Sequence, residues 1–178
     1  RTGLYRFIGP PLLDSFMQFY GMPQEQAEQA VSAYREYFRD RGLFENRVYD
    51  GIPALLQGLR DQGKTLVLAT SKPEVFTLRI LDKFDLSQYF HFVGAASLDS
   101  SRSQKADVIR HALHLCGNPA PETVVMIGDR WHDIHGAQEN GIQSIGVLYG
   151  YGDRPELEQA GADVIVESVE QLQKLLLP

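Results

Sequence analysis

The stretch Val124-Val-Met-Ile-Gly-Asp-Arg-Trp-His-Asp133 decides the fold that the sequence predicts. It begins with four apolar residues and stops abruptly at Gly128 and Asp129. Such a run is typical of a buried strand whose carboxyl end opens onto a loop. Ligands of open α/β sheets bind at that edge. Asp129 and Asp133 are four residues apart there, so their carboxylates could hold a hard divalent cation such as Mg²⁺.

Working outward from this strand, strands and helices alternate from about residue 47 to the end of the chain. Strands are predicted at 65–70, 90–95, 123–127, 142–148 and 163–166. One helix is predicted to carry Ile52, Leu55, Leu56 and Leu59 on one face and to end at Gly63. Further helices are predicted over 73–84, 105–116, 133–140, 156–160 and 169–176. This alternation implies right-handed crossovers and a parallel sheet covered on both faces. The predicted class is α/β, with a doubly wound, mainly parallel, Rossmann-like sheet.

The first quarter of the chain has a different pattern. Residues 1–46 contain no convincing strand, and apolar side chains recur at helical spacing before Gly21 and again between Pro23 and Gly42. We therefore expect a small helical unit over 1–46 and an α/β core over 47–178.

Composition limits the kinds of partner. A net charge of −6 disfavours nucleic acid or an anionic membrane as the main partner. The single Cys116 precludes an internal disulfide and fits a reducing compartment. Apolar runs are far shorter than the roughly 20 residues of a membrane span, and no signal peptide is visible. The cytoplasm is the expected location, and the oligomeric state cannot be read from the sequence.

Two more groups fall at the same predicted sheet edge. Thr70 and Ser71 follow a strand, where a hydroxyl and free N–H groups could cradle a phosphate; alternatively they only cap the helix that begins at Pro73. Lys105 begins a helix, where the helix dipole disfavours a cation. It therefore indicates a compensating phosphate or carboxylate, unless it is simply solvated. The acidic pair itself has the alternative of a turn with a capping Asp.

The remaining reactive residues give weaker patterns. The five histidines show no shared spacing that would indicate a zinc site. Cys116 is expected to be a small core residue. No Gly-x-Ser-x-Gly elbow occurs, and we interpret Gly150-Tyr151-Gly152 as a flexible turn.

The order of these groups resembles the haloacid dehalogenase superfamily. The resemblance runs through Leu66–Pro73, Lys105, Val124–Asp133, Gly141–Gly152 and Ala160–Asp163. Residues 1–46 resemble part of the helical cap of that superfamily. In particular, Arg6-Phe-Ile-Gly-Pro-Pro-Leu12 is similar to its phosphoglycolate phosphatase-like branch.

The resemblance implies roles for these residues. Thr70 would bind the substrate phosphoryl group, assisted by the Ser71 backbone, and Lys105 would neutralise the phosphate and the nucleophilic carboxylate. Asp129 and Asp133 would hold Mg²⁺. The implied reaction is hydrolysis of a small phosphorylated substrate through an aspartyl-phosphate.

The nucleophile motif of that superfamily, Asp-x-Asp-x-Thr, does not occur in the 178 residues. It belongs to a central first strand, whose loss would leave neighbouring strands with unpaired backbone groups at about 1–3 kcal/mol each. We therefore expect the partial cap and the core to be continued by a segment outside this sequence, which carries the Asp. A catalytically inactive descendant is the alternative.

Several functions remain open at this level. A Mg²⁺-dependent phosphatase acting on phosphoglycolate or a similar small metabolite is the leading hypothesis. A 5′-nucleotidase or phosphomutase of the same superfamily, and an inactive chain that binds phosphate or a protein partner, are the alternatives. A dehalogenase is disfavoured, because that reaction needs no Mg²⁺ and the metal pair is retained.

Overall fold

The computed structural model describes residues 7, 8, 10–99 and 101–177, with the Asp40 side chain left out. Most of the quoted Arg6–Leu12 motif is described, but Arg6 and Gly9 lie outside these residues. The helices are α1 (Leu12–Tyr20), α2 (Gln24–Asp40), α3 (Ile52–Asp61), α4 (Glu74–Lys83), α5 (Lys105–Leu115), α6 (Trp131–Glu139), α7 (Arg154–Ala160) and α8 (Val169–Leu176). The strands are β1 (Val67–Pro73), β2 (Phe92–Ala96), β3 (Val125–Gly128), β4 (Gln143–Val147) and β5 (Val164–Val166).

All strand pairs are parallel, which confirms the predicted α/β class. β1 pairs with β2, with Val67 opposite Phe92. β4 pairs with both β3 and β5, so the order of the second sheet is β3-β4-β5. The described strands therefore form two sheets where the sequence predicts one.

The two sheets share their hydrophobic cores. Met126 and Ile127 are successive residues of β3 and therefore point to opposite faces. Met126 packs in a cluster that also contains Ala69 of β1, and Ile127 packs in a second cluster that contains Leu66. In the described part of the chain no backbone pairing joins β1 to β3. One edge of each sheet is thus left without a strand partner at their shared core.

β1 is longer than the sequence predicts at its carboxyl end. The predicted strand ends at Thr70, whereas the observed strand continues to Pro73 and α4 begins at Glu74. Pro73 has φ −55° and ψ 140°, which is extended backbone. Because a residue before proline also avoids the helical region, Lys72 and Pro73 prolong the strand.

The predicted helical unit consists of α1 and α2, which contact each other. Phe38 of α2 meets Phe76 of α4 edge to face, with ring centroids 5.5 Å apart. This contact holds the unit against the α/β part of the chain. The division at residues 46 and 47 stays a prediction.

No helix within the described ranges combines the length and apolarity that a membrane crossing would require.

Candidate active site

Asp133 organises the loop that follows β3. Its Oδ2 accepts hydrogen bonds from the backbone N–H groups of Asp129 and Arg130, both at 3.1 Å. Asp133 is the third residue of α6 and is 5% exposed. The approach is so close that any side chain at position 128 would collide with it, which explains why the strand ends in Gly128. The capping alternative is therefore correct in part, because Asp133 does cap its own helix.

Lys105 is the cationic partner of Asp133. Its Nζ lies 2.9 Å from Asp133 Oδ1 and donates to the Ala69 carbonyl of β1 at 3.3 Å. The Lys105 side chain is 13% exposed, so it is not the solvated lysine of the alternative interpretation. The compensating anion at the start of α5 is a carboxylate in this structure. Lys105 thereby connects β1 of the first sheet to α6, the helix that follows β3.

Asp129 is held by the loop after β4. Its Oδ2 accepts the Tyr151 N–H at 2.8 Å, and its carbonyl accepts the Gly152 N–H at 3.0 Å. Burial raises the pKa of this carboxyl above its ordinary value. Within the described ranges no Lys or Arg forms an ion pair with it. A partly buried carboxylate without a cationic partner is a natural place for a bound cation.

The segment Gly150-Tyr151-Gly152 is a functional element that the sequence interpretation missed. A side chain at Gly150 would overlap the Asp129 side chain, and one at Gly152 would overlap the Asp129 carbonyl. The loop is packed against Asp129, whereas the sequence suggested a flexible turn. Two glycines that flank one residue shortly after a strand are a sign of close backbone approach, and this pattern was visible in the sequence.

Thr70 and Ser71 lie within β1 and do not cap α4. Thr70 Oγ1 accepts the Lys72 N–H at 3.2 Å, and the cap position of α4 is Pro73, which makes no side-chain cap. Thr70, Ser71 and Lys105 line one cavity of about 380 Å³, together with residues of α1 and α2. The structure thus brings the predicted phosphate-binding residues together. Asp129 and Asp133 do not line that cavity and are linked to it through Lys105.

The donor set of the acidic pair suits Mg²⁺. Asp133 already accepts two N–H groups and the Lys105 ammonium, whereas Asp129 accepts one backbone N–H on its side chain. Asp129 would therefore bind the ion directly, and Asp133 would hold it through water or orient Asp129. In the described part of the chain no three His, Cys, Asp or Glu residues cluster as a metal site. Mg²⁺ is commonly held by one or two carboxylates and several waters, so the pair is sufficient at this edge.

Two other side chains, His132 and Cys116, are of types that can act as nucleophiles. His132 stacks on Trp131 with ring centroids 3.6 Å apart, and burial lowers the pKa of His132 to about 4. It is therefore neutral at pH 7. The Cys116 thiol donates to the Ala112 carbonyl at 3.1 Å, and burial raises its pKa. Neither is placed as a nucleophile.

The relatives of this chain have several different names. It is 50% identical over 154 residues to a 5′-nucleotidase of Pseudomonas aeruginosa, covering 86% of this chain and 69% of that protein. It is 39% identical over 171 residues to the tyrosine-protein kinase PtkA of Mycobacterium tuberculosis, covering 95% and 58%. It is 31% identical over 156 residues to a phosphoglycolate phosphatase of Cupriavidus necator, covering 88% and 67%. The chain thus spans 58–69% of these relatives' lengths.

A solved structure has the same fold. It is described as a predicted phosphatase from Clostridium acetobutylicum and is 49% identical, with a TM-score of 0.95 over 99% of this chain and 81% of that one. Residues 1–147 match the family of haloacid dehalogenase-like hydrolases. The resemblance read from the sequence is confirmed, and the chain belongs to the haloacid dehalogenase-like hydrolase family.

Proposed function

We propose that the protein containing this chain is a Mg²⁺-dependent phosphatase that hydrolyses a small phosphorylated metabolite. The observation that carries the proposal is Lys105, whose ammonium joins the strand of Thr70 to the carboxylate of Asp133. One cation thus links the phosphate-binding residues to the acidic pair. Hydrolase family membership and phosphatase-named relatives agree with this reaction class.

Each residue has a part that its surroundings support. The Thr70 hydroxyl and the Ser71 backbone would bind the phosphoryl oxygens, and Lys105 would offset their charge. Asp129, with Asp133 behind it, would hold Mg²⁺, which when bound screens the negative phosphate from a negative nucleophile.

The nucleophile would come from a segment outside this sequence. The facing edges of β1 and β3 share two hydrophobic clusters but do not pair with each other. A strand between them would satisfy both edges and bring its carboxyl end beside Lys105. An Asp at that point would attack phosphorus, and water would then cleave the aspartyl-phosphate.

Two substrate classes have specific support. Phosphoglycolate is favoured by the branch resemblance and by the relative from C. necator. A nucleoside 5′-monophosphate is favoured by the relative from P. aeruginosa. We further propose the cytoplasm as the location, with no nucleic acid or membrane as partner.

Turnover of p-nitrophenyl phosphate by the protein that contains this chain tests the reaction class. We expect activity with Mg²⁺, loss of activity in EDTA, and loss in Asp129→Asn. Asp107→Asn is the matched control, because that carboxylate is about half exposed on α5 and pairs with Arg110. Turnover that is indifferent to EDTA, or fully retained in Asp129→Asn, would contradict the proposal; no turnover at all would favour the inactive alternative.

A further inference from the structure

The cavity that contains the phosphate-binding residues has an aromatic wall. Tyr34 and Phe38 of α2 stand one helical turn apart, with ring centroids 5.3 Å apart and an interplanar angle of 17°. Phe76 closes the corner at 83° to Phe38, and all three residues line the cavity. Its volume of about 380 Å³ falls within the range of small-molecule sites. A two-carbon acid such as phosphoglycolate offers no flat surface to these rings.

The charged residues that line this cavity are Arg35, Lys72 and Lys105, and all three are hydrogen-bond donors. Lys72 Nζ lies 4.3 Å from the Phe38 ring centroid, and burial lowers the pKa of this ammonium. Arg35 lines the same cavity one residue beyond Tyr34. In the described ranges neither cation forms an ion pair, and no carboxylate or side-chain amide lines the cavity. A ligand in this cavity would contact flat aromatic rings and two cations that can donate hydrogen bonds to it.

We propose, on the basis of the proposed phosphatase function, that this cavity selects 6-oxopurine nucleoside 5′-monophosphates such as GMP and IMP. The phosphate would lie at Thr70 and Lys105, and the base would lie along the aromatic wall beside Lys72, whose ammonium is above the Phe38 ring. The O6 and N7 acceptors of a 6-oxopurine match a Lys or Arg donor. Adenine carries an amino donor in place of the O6 acceptor, so it could not accept a hydrogen bond at that position from Lys72 or Arg35. Lys72 and Arg35 are therefore specificity-determining residues.

The reaction at this site remains hydrolysis. The bond between phosphorus and the 5′ oxygen breaks, and water supplies both the oxygen that stays on phosphorus and the proton on the released nucleoside. No further reactant is required.

Specificity ratios in the Mg²⁺-loaded protein test the proposal. We expect kcat/KM for GMP to exceed that for AMP, and that for phosphoglycolate, by on the order of tenfold or more. In Lys72→Met and Arg35→Gln the GMP to AMP ratio should fall toward one. Lys83→Met is the matched control, because Lys83 lies 4.8 Å from the Phe44 ring but does not line the cavity, and its ratio should not change. Phosphoglycolate as the best substrate, or equal use of GMP and AMP, would overturn the proposal.

Nucleotide binding measured in EDTA tests the selection of the base independently of hydrolysis. Titration calorimetry should show that GMP binds more tightly than AMP and phosphoglycolate. Lys72→Met should weaken the binding of GMP by about tenfold. A protein that turns over p-nitrophenyl phosphate but binds GMP no better than AMP would refute the base selection and keep the phosphatase. A protein that prefers GMP but hydrolyses nothing would refute the phosphatase and keep the selection.

Discussion

The ion pair of Lys105 and Asp133 is nearly excluded from water, with side chains 13% and 7% exposed. Removing one partner of such a pair leaves a buried charge, which costs about 3–5 kcal/mol. We therefore expect Lys105→Met to lower the free energy of unfolding by about 3 kcal/mol and to slow phosphatase turnover by roughly 10²–10³-fold. Urea denaturation and steady-state kinetics measure the two effects.

A double-mutant cycle provides the control for that prediction. Asp107 and Arg110 also pair on α5, but their side chains are 46% and 60% exposed. Exposed pairs are worth about 0–1 kcal/mol, so the Asp107–Arg110 cycle should give a small coupling energy. A coupling for Lys105 and Asp133 no larger than that of the exposed pair would show that the buried pair does not stabilise the fold.

Asp129 should make the stability of the protein depend on pH and on bound Mg²⁺. Burial raises the pKa of its carboxyl in the folded state, so its contribution to stability is present below the unfolded pKa of about 3.9 and is lost as pH rises through the folded value. Without metal at pH 7, Asp129→Asn should therefore be more stable than the unmodified protein, and the difference should shrink toward pH 4. Thermal unfolding measures this difference.

With Mg²⁺ present, the unmodified protein should instead be more stable than Asp129→Asn. An ion that binds only the folded protein stabilises it by about 2.7 kcal/mol at 100 times its Kd, and Asp129→Asn should lose this gain. An Asp129→Asn protein that Mg²⁺ stabilises as much as the unmodified protein would remove Asp129 from the metal site.

At the scale of elements, the loop between β4 and α7 positions Asp129. A methyl group at Gly150 would overlap the Asp129 side chain, and the backbone there is not in the left-handed region. Gly150→Ala should therefore displace the carboxylate and weaken Mg²⁺ binding by about 10–100-fold, as changes to the support of a metal ligand do. Calorimetric titration with Mg²⁺ measures the affinity.

Gly63→Ala is a control for a general loss of stability. Gly63 has φ +73° and no heavy atom near its added methyl group, so the substitution strains a turn without touching the site. If Gly150→Ala binds Mg²⁺ as tightly as Gly63→Ala does, the loop does not position Asp129.

At the scale of the whole molecule, local sequence pattern predicts the strands and the acidic pair, but it does not predict contacts between residues far apart in the chain. The end of β3 and the acidic pair follow from an apolar run and a Gly-Asp step, which are local signals. The contacts of Lys105 with Asp133, and of Tyr151 with Asp129, join residues 28 and 22 positions apart. Periodicity carries no information about such pairs. The three-residue extension of β1 beyond Thr70 depends on the restriction that Pro73 places on its neighbour.

The division into two sheets depends on the whole chain. Each strand was predictable from its own residues, but pairing depends on which strands become neighbours. Leu66, just before β1, packs in one cluster with Ile127 of β3, and Ala69 of β1 packs in another with Met126, although β1 and β3 do not pair. The expectation that a central strand outside this sequence separates β1 from β3 agrees with that arrangement.

A crystal structure of the protein that contains this chain, grown with Mg²⁺ and a phosphate analogue such as tungstate, tests the central claim most directly. The account predicts a cation bound to the Asp129 carboxylate with Asp133 behind it, and tungstate oxygens contacting the Thr70 hydroxyl and the Lys105 ammonium. Tungstate bound away from Thr70 and Lys105, with no cation at Asp129, would contradict it.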